Sequence, residues 1–394
     1  MDKLVLKDKI IDLAASVFDD VVAIRRHLHK YPELSFHEYA TSAYIKDILS
    51  DWGISFVDDI ADTGVVVLLE GVNPSSKVIA LRADFDALPI IEENNIEYCS
   101  QNTGVMHACG HDAHTASLLG VIKILYMLRE EWEGTIKFIF QPAEEQFPGG
   151  ASRMIKEGVL NSPKVDKMFG QHVFPDLGVG KVGFCPGRYM ASADEIHVVI
   201  TGLGGHAALP EIYNSPIIAA AKLITLLDDY FLSFRDIPSV FAIGFVKADG
   251  YCNVIPDCVE LRGTFRAIDE DFRSLAHVKM REIAKHTADD YSIDISFNIK
   301  QGYPSLYNDK QLTQQAIIHA KEYVGESNVI DLSRRMTAED FAYYCNEVPS
   351  CFYRLGTANL EKGIAHGLHT SRFNIDEESL KTGVGLMAYL AVVS

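Results

Sequence analysis

The sequence predicts an α/β protein with a central, mostly parallel sheet, interrupted by an inserted ferredoxin-like α+β domain. Three observations carry this reading. Short runs rich in β-branched residues at 64–69 and 77–82, and further strands at 135–140 and 167–171, alternate with helical patterns, and the run at 77–82 is apolar almost throughout, as in a strand covered on both faces. After the glycine-rich stretch 178–187 the order becomes strand 195–202, helix 215–231, strands 240–248 and 259–267, helix 269–287 and strand 292–300, which is the βαββαβ unit. Beyond Gly302-Tyr303-Pro304 helix and strand alternate again and close on a helix at 377–393. The chain of 394 residues therefore divides into residues 1–187 with 304–394, and an insert at 188–303.

Taken in order, helical spacing from Ile10 to His29 ends at Lys30-Tyr31-Pro32, and a second helix from His37 to Trp52 stops at Gly53. The strand at 77–82 runs into Ala83-Asp84-Phe85-Asp86, placing two carboxylates just past its end. The strand at 135–140 runs into Gln141-Pro142-Ala143-Glu144-Glu145, and that at 167–171 ends on His172. Between them Met106–Thr115 packs His107, Cys109, His111, Asp112 and His114 onto a loop that leads into a helix at 116–128. In open α/β sheets ligands bind outside the carboxyl ends of the strands, so these groups are expected to converge.

The charge of −18 argues against nucleic acid or an acidic membrane surface as partner, and points to small molecules. Acids at Asp8, Asp12, Asp19 and Asp20 do not fit a signal peptide, and no apolar stretch approaches the ~18 residues of a membrane span. Seven cysteines, an odd number scattered along the chain, suggest a reducing compartment, so a cytoplasmic location is expected.

A thiolate beside imidazoles is ligand chemistry for Zn²⁺ and neighbouring transition metals. Adjacent Glu144 and Glu145 raise each other's pKa unless a cation intervenes. A metal held by Glu145 resolves that conflict and leaves Glu144 to take a proton from the attacking water and return it to a leaving group. A solvated acidic loop is the alternative for the pair alone.

The chain resembles the M20 metallopeptidase and amidohydrolase family, in its branch of hippurate, auxin-conjugate and N-acyl-amino-acid hydrolases. The matching motifs are Arg-Arg-His-Leu-His-Lys-Tyr-Pro-Glu-Leu-Ser-Phe at 25–36, Arg-Ala-Asp-Phe-Asp-Ala-Leu-Pro at 82–89, His-Ala-Cys-Gly-His-Asp-Ala-His at 107–114 and Gln-Pro-Ala-Glu-Glu at 141–145. Further on come Gly-Gln-His-Val at 170–173, Gly-Gly-His-Ala-Ala at 204–208, Asn-Val-Ile-Pro-Asp at 253–257, Gly-Thr-Phe-Arg at 263–266, Ala-Glu-Asp-Phe at 338–341 and Leu-His-Thr at 368–370. The resemblance implies that Cys109, His111, Glu145, His172 and His369 hold two divalent ions, Zn²⁺ or else Mn²⁺, Co²⁺ or Ni²⁺. It implies that Glu144 is the general base and acid, that His206 polarises the scissile carbonyl, and that Asn253 and Arg266 hold substrate. Asp84 and Asp86 are expected behind the ligands, orienting imidazoles. His369 is preferred over His366 because its Leu-His-Thr context matches. The implied enzyme is a dimetal amidohydrolase of N-acyl amino acids, with the insert acting as lid and homodimer contact. Glu211 and Phe85 depart from the family pattern. A dipeptidase, a Cys109 nucleophile or a non-catalytic metal-binding protein are the rival readings.

Overall fold

Residues 3–234 and 236–394 are described by the computed structural model and cluster into two units. One gathers the chain up to Gly187 with Tyr307–Ser333 and Tyr343–Ser394, the other Arg188–Leu306 with Arg334–Ala342. The chain thus enters the smaller unit twice.

The larger unit begins with helices α1 (Lys3–Ser16), α2 (Phe18–Lys30) and α3 (Tyr39–Asp51) and strands β1 (Phe56–Ile60), β2 (Gly64–Glu70) and β3 (Val78–Asp84). Next come α4 (His111–Met127), β4 (Thr135–Gln141), α5 (Gly150–Lys156), β5 (Lys167–Gly178) and β6 (Val182–Phe184). The single helix expected from Ile10 to His29 is broken at Val17, which sits at φ −90°, ψ 0° between α1 and α2 while its amide still donates to the Leu13 carbonyl at 2.9 Å. Strand β1 has no counterpart in the sequence reading, because its Phe-Val-Asp-Asp-Ile is polar enough to pass for a loop.

Eight strands form one sheet in the order β1, β2, β4, β3, β5, Ser350–Ala358, β6, Val329–Asp331. Its middle strands β4, β3, β5 and Ser350–Ala358 run parallel, while β1, β2 and β6 pair antiparallel toward the edges. Every residue of β3 and β4 is buried, which accounts for their near-continuous apolar character. The exceptions carry their own partners. Arg82 Nε donates to Gln141 Oε1 at 2.9 Å, and Lys137 Nζ donates to the carbonyls of Val159 and Pro163 at 2.7 and 2.9 Å, which offsets the cost of burying charge. Parallel register sets Asp84 beside Gln141 and Arg82 beside Gly170, so the carboxyl ends of β3, β4 and β5 lie side by side.

Helix α4 is buried from His111 to Ile122 and packs against α2, β3 and the final helix Ser379–Val393. It starts abruptly because Gly110 takes φ +82°, in the left-handed region, and a Cβ there would lie 2.5 Å from Val173 Cγ2. Arg25 of α2 reaches across to α4, its Nε donating to Asp112 Oδ2 at 2.8 Å and its terminal nitrogens to Glu377 at 3.2 Å and Asn374 at 2.9 Å. His29 donates from Nδ1 to Asp112 at 2.8 Å and from Nε2 to Glu92 at 3.1 Å. Burial pushes Glu92 up, but the hydrogen bond and charge of His29, with the Ser100 amide and Asn94, bring it down to about 2.

In the smaller unit four antiparallel strands stand in the order Ser239–Lys247, Cys258–Ala267, Asp194–Thr201, Asp294–Gln301. Helices Pro216–Leu232 and Glu270–Tyr291 pack on the sheet through Leu223, Leu227, Ala276 and Met280 against Ile196, Val198, Leu261 and Phe265. This is the βαββαβ arrangement that the sequence predicts.

Two outcomes are expected. Gly110→Ala combines a left-handed φ with overpacking against Val173 and should destabilise the larger unit by about 2–5 kcal/mol, read as a fall in denaturation midpoint. Glu92, lowered to about 2 from 4.5, contributes stability above pH 4.5 that is lost as pH falls toward 2. The stability gap between wild type and Glu92→Gln should therefore be widest above pH 4.5 and close on acidification.

Candidate metal centre

Near the carboxyl ends of the parallel strands, β5, loops and one helix start bring six side chains of the larger unit together. One ligand atom each from Cys109, His111 and His172 lies within 4.8 Å of the others, and the same holds for Cys109, Glu145 and His369 and for His111, Glu144 and Glu145. Cys109 belongs to two of these groups and Glu145 to two. Cys109 Sγ stands 3.4 Å from His172 Nε2 and 3.4 Å from His369 Nε2, and His369 Nε2 stands 3.2 Å from Glu145 Oε1. His369 comes from the segment that precedes the final helix and sits at φ +60°, its amide donating to the Ala108 carbonyl at 2.8 Å. His366, its rival in the sequence, is exposed and belongs to none of these groups.

Two of the three imidazoles, His111 and His172, are turned by a hydrogen bond on the far side of the ring. His111 Nδ1 donates to the Asp86 carbonyl and to Asp86 Oδ1 at 2.9 and 3.0 Å, which turns Nε2 toward the other side chains of the group. His172 Nδ1 donates to the Val173 carbonyl at 2.7 Å, with the same result. Asp86 also accepts from the Glu145 amide at 2.9 Å, so one carboxylate fixes both a histidine and the turn that carries the glutamates. The expected orienting role of Asp84 falls on His114: Nδ1 donates to Asp84 Oδ1 at 2.6 Å and Nε2 accepts from the Val173 amide at 2.9 Å. Both nitrogens of His114 are engaged, so Asp84, His111 and His114 do not form a further donor set.

The other members of the Met106–Thr115 cluster have separate duties. Asp112 is bound to Arg25 and His29, and His107 is buried, its basicity brought down by burial to about 4 so that it stays neutral. Phe85 is fully buried in the hydrophobic core of the larger unit. Its departure from the family pattern therefore changes packing.

Whether a cation fits here is answered by the orphaned atoms. His111 Nε2 and Glu145 Oε1 are both buried without a hydrogen-bond partner and face each other at 4.0 Å. Burial opposes a charge on His111, yet Asp84, Asp86 and Glu145 push it up to about 10, and burial with the charges of Glu145, Glu144 and Asp84 holds the Cys109 thiol well above its usual value. Four carboxylates, Asp84, Asp86, Glu144 and Glu145, gather around His111 and Cys109, an excess of acidic groups. Soft sulfur, imidazole and carboxylate donors around that excess fit two divalent cations sharing the Cys109 side.

His206, Asn253 and Arg266 lie in the smaller unit. His206 and Val254 pair on a two-stranded antiparallel ladder, and the Ala207 amide donates to the Asn253 carbonyl at 3.1 Å, so His206 and Asn253 are neighbours. His206 is exposed, and its Nδ1 accepts from the Ala208 amide at 3.1 Å, which puts the ring proton on Nε2. Arg266 donates to the Met336 carbonyl at 3.2 Å. Glu211 is exposed on a short 3₁₀ turn, Pro210–Ile212.

Residues 80–392 match peptidase family M20/M25/M40. An N-acyl-L-amino acid amidohydrolase of Geobacillus stearothermophilus is 40% identical over 304 residues, 77% of this chain and 81% of its own length. The N-acetylcysteine deacetylase of Bacillus subtilis (strain 168) is 38% identical over 378 residues, 95% of this chain and 96% of its own. A solved structure from Bacillus subtilis, described as a dinuclear metal binding peptidase from the M20 family, superposes with a TM-score of 0.82 at 35% identity, covering 96% of this chain and 98% of that one. The chain belongs to peptidase family M20/M25/M40 and is an amidohydrolase.

Proposed function

We propose that this amidohydrolase cleaves the amide bond of N-acyl amino acids, releasing the amino acid and a carboxylic acid. The observation that carries the reading is the orphaned, buried pair His111 Nε2 and Glu145 Oε1, with Glu144 in the same group of donors. Cys109, His111, Glu145, His172 and His369 are the ligands, and Zn²⁺ or else Mn²⁺, Co²⁺ or Ni²⁺ fills the site. When bound, the two ions supply Lewis acidity toward the scissile carbonyl and the attacking water. Glu144, only 6% exposed, takes the proton from that water and delivers it to the departing amine nitrogen as the C–N bond breaks. His206, its Nε2 carrying the proton, donates to the oxygen on which negative charge gathers. Asn253 and Arg266 hold the substrate, a guanidinium suiting a carboxylate. The names of the relatives support acetyl or similar acyl groups.

In this reading residues 1–187 and 304–394 form the catalytic domain and 188–303 the lid, which also makes a homodimer. Seven cysteines, an odd number scattered along the chain, support a cytoplasmic setting. No helix among the described residues is long and apolar enough to cross a membrane.

Glu144→Gln should keep its metal content and lose roughly 10²–10⁴-fold in kcat on an acetyl-amino acid; near-normal turnover would refute its role. Removing metal with a chelator should abolish hydrolysis, and adding back Zn²⁺, Mn²⁺, Co²⁺ or Ni²⁺ singly should restore it. Activity that survives the chelator but not a thiol alkylator would favour Cys109 as nucleophile. A panel of acetyl-, benzoyl- and indoleacetyl-amino acids beside free dipeptides separates a deacylase from a dipeptidase, which requires the α-amino group.

A further inference from the structure

The motif at 25–36 supplies none of the proposed ligands, yet the stretch that contains it touches the loops that carry them. Arg25 and His29 bind Asp112 in the first turn of α4, and Arg25 also binds Asn374 in the segment that brings His369. Ser35 Oγ donates to Asp86 Oδ2 at 2.7 Å, and Leu34 bridges to Ala87. Two residues past the motif, Glu38 lies wholly buried. Its Oε1 accepts from the Ala143 amide at 2.8 Å and its Oε2 from the Thr63 hydroxyl at 3.2 Å.

Ala143 is the residue on which the glutamate turn pivots. It sits at φ +52°, a conformation that disfavours any residue with a Cβ, immediately before Glu144 and Glu145. Its carbonyl accepts from the Gly150 amide at 2.9 Å, and a Cβ on Gly150 would lie 1.8 Å from the Pro142 carbonyl oxygen, so the turn is closed tightly at the start of α5. Such a backbone persists only where its surroundings over-determine it. Glu38 grips its amide from one side and Gly150 its carbonyl from the other.

We infer that Glu38 is a positioning residue of the hydrolytic site: through the Ala143 amide it fixes the turn that aims Glu144 and Glu145. This rests on the roles proposed for those two glutamates. Glu33, on the same approach to α3, provides the contrast. Its carboxylate accepts from the Ala40 amide at 3.2 Å and from the Thr41 amide and hydroxyl at 2.7 and 2.9 Å, which holds the start of α3 and no site loop.

The test compares Glu38→Ala, Glu38→Gln, Glu38→Asp and Glu33→Ala in the full chain. Zn²⁺ affinity of chelator-stripped protein is measured by competition titration, together with amide exchange of peptides spanning 142–149 and the split between kcat and KM. Glu38→Ala should weaken Zn²⁺ binding about 10–100-fold, speed exchange at 142–149 and lower kcat more than it raises KM. Glu38→Gln keeps an acceptor for the Ala143 amide and should rescue most of the affinity. Glu33→Ala should lower the denaturation midpoint with Zn²⁺ affinity unchanged. Should Glu38→Ala fail to fold, Glu38→Asp, which retracts the carboxylate by one methylene, is expected to show the same losses. Wild-type affinity and exchange in a folded Glu38→Ala or Glu38→Asp would overturn the inference, as would a Glu33→Ala variant that loses as much affinity. If the wild type itself takes up no pair of ions, the metal reading falls and the exchange measurement alone decides on Glu38.

Discussion

A buried histidine surrounded by carboxylates sets the terms for everything around it. His111 opens α4 with Asp86 on one side of its ring and Asp84 and Glu145 on the other, in a place where burial alone would keep it neutral. Unscreened carboxylates at that depth repel one another strongly, and folding can tolerate them only if positive charge is present. Without metal a proton on His111 serves. Divalent ions held by the proposed ligands would serve better, since Cys109 would then bind as thiolate and His111 Nε2 and Glu145 Oε1 would gain partners.

The sheet delivers these groups without long-range coincidence. Parallel pairing of β3, β4, β5 and Ser350–Ala358 places their carboxyl ends side by side, and the segments that leave those ends carry Asp86, Glu144 and Glu145, while Asp84 ends β3 and His172 stands on β5 itself. What remains is orientation, and that falls to groups that are not donors: Asp86 for His111, the Val173 carbonyl for His172, the Ala108 carbonyl for the strained His369 backbone. The buried Arg25, Asp112 and His29 network locks α2 to the start of α4 behind them. Charge buried in pairs is weak evidence for stability, but it does specify one arrangement where alternatives would strand an ion.

Much of this was legible in the sequence, for a physical reason. Strands buried on both faces read as apolar runs, so β3 and β4 were visible, and ligand-type residues just past their ends marked the site. Edge strand β1 was not, because an edge tolerates Asp58 and Asp59 and loses the apolar signature. The break at Val17 carries no Pro or Gly to mark it in the sequence. Cys109 and His111 stood out from the cluster at 107–114 only through the family resemblance, and its other members divide by partners distant in the chain: Arg25 takes Asp112, and Asp84 with Val173 takes His114. No local pattern encodes those pairings. The membership of Arg334–Ala342 in the smaller unit was equally hidden, since it follows from contacts made by a short segment without periodicity.

Crystals grown with Zn²⁺ and measured on both sides of its absorption edge test the central claim most directly. Two anomalous peaks about 3.5–4 Å apart are expected, one at ligand distance from His111 and His172, the other from Glu145 and His369, with Cys109 adjoining both. An absence of peaks at these side chains, or a single ion enclosed by four of them with no open position, would contradict it.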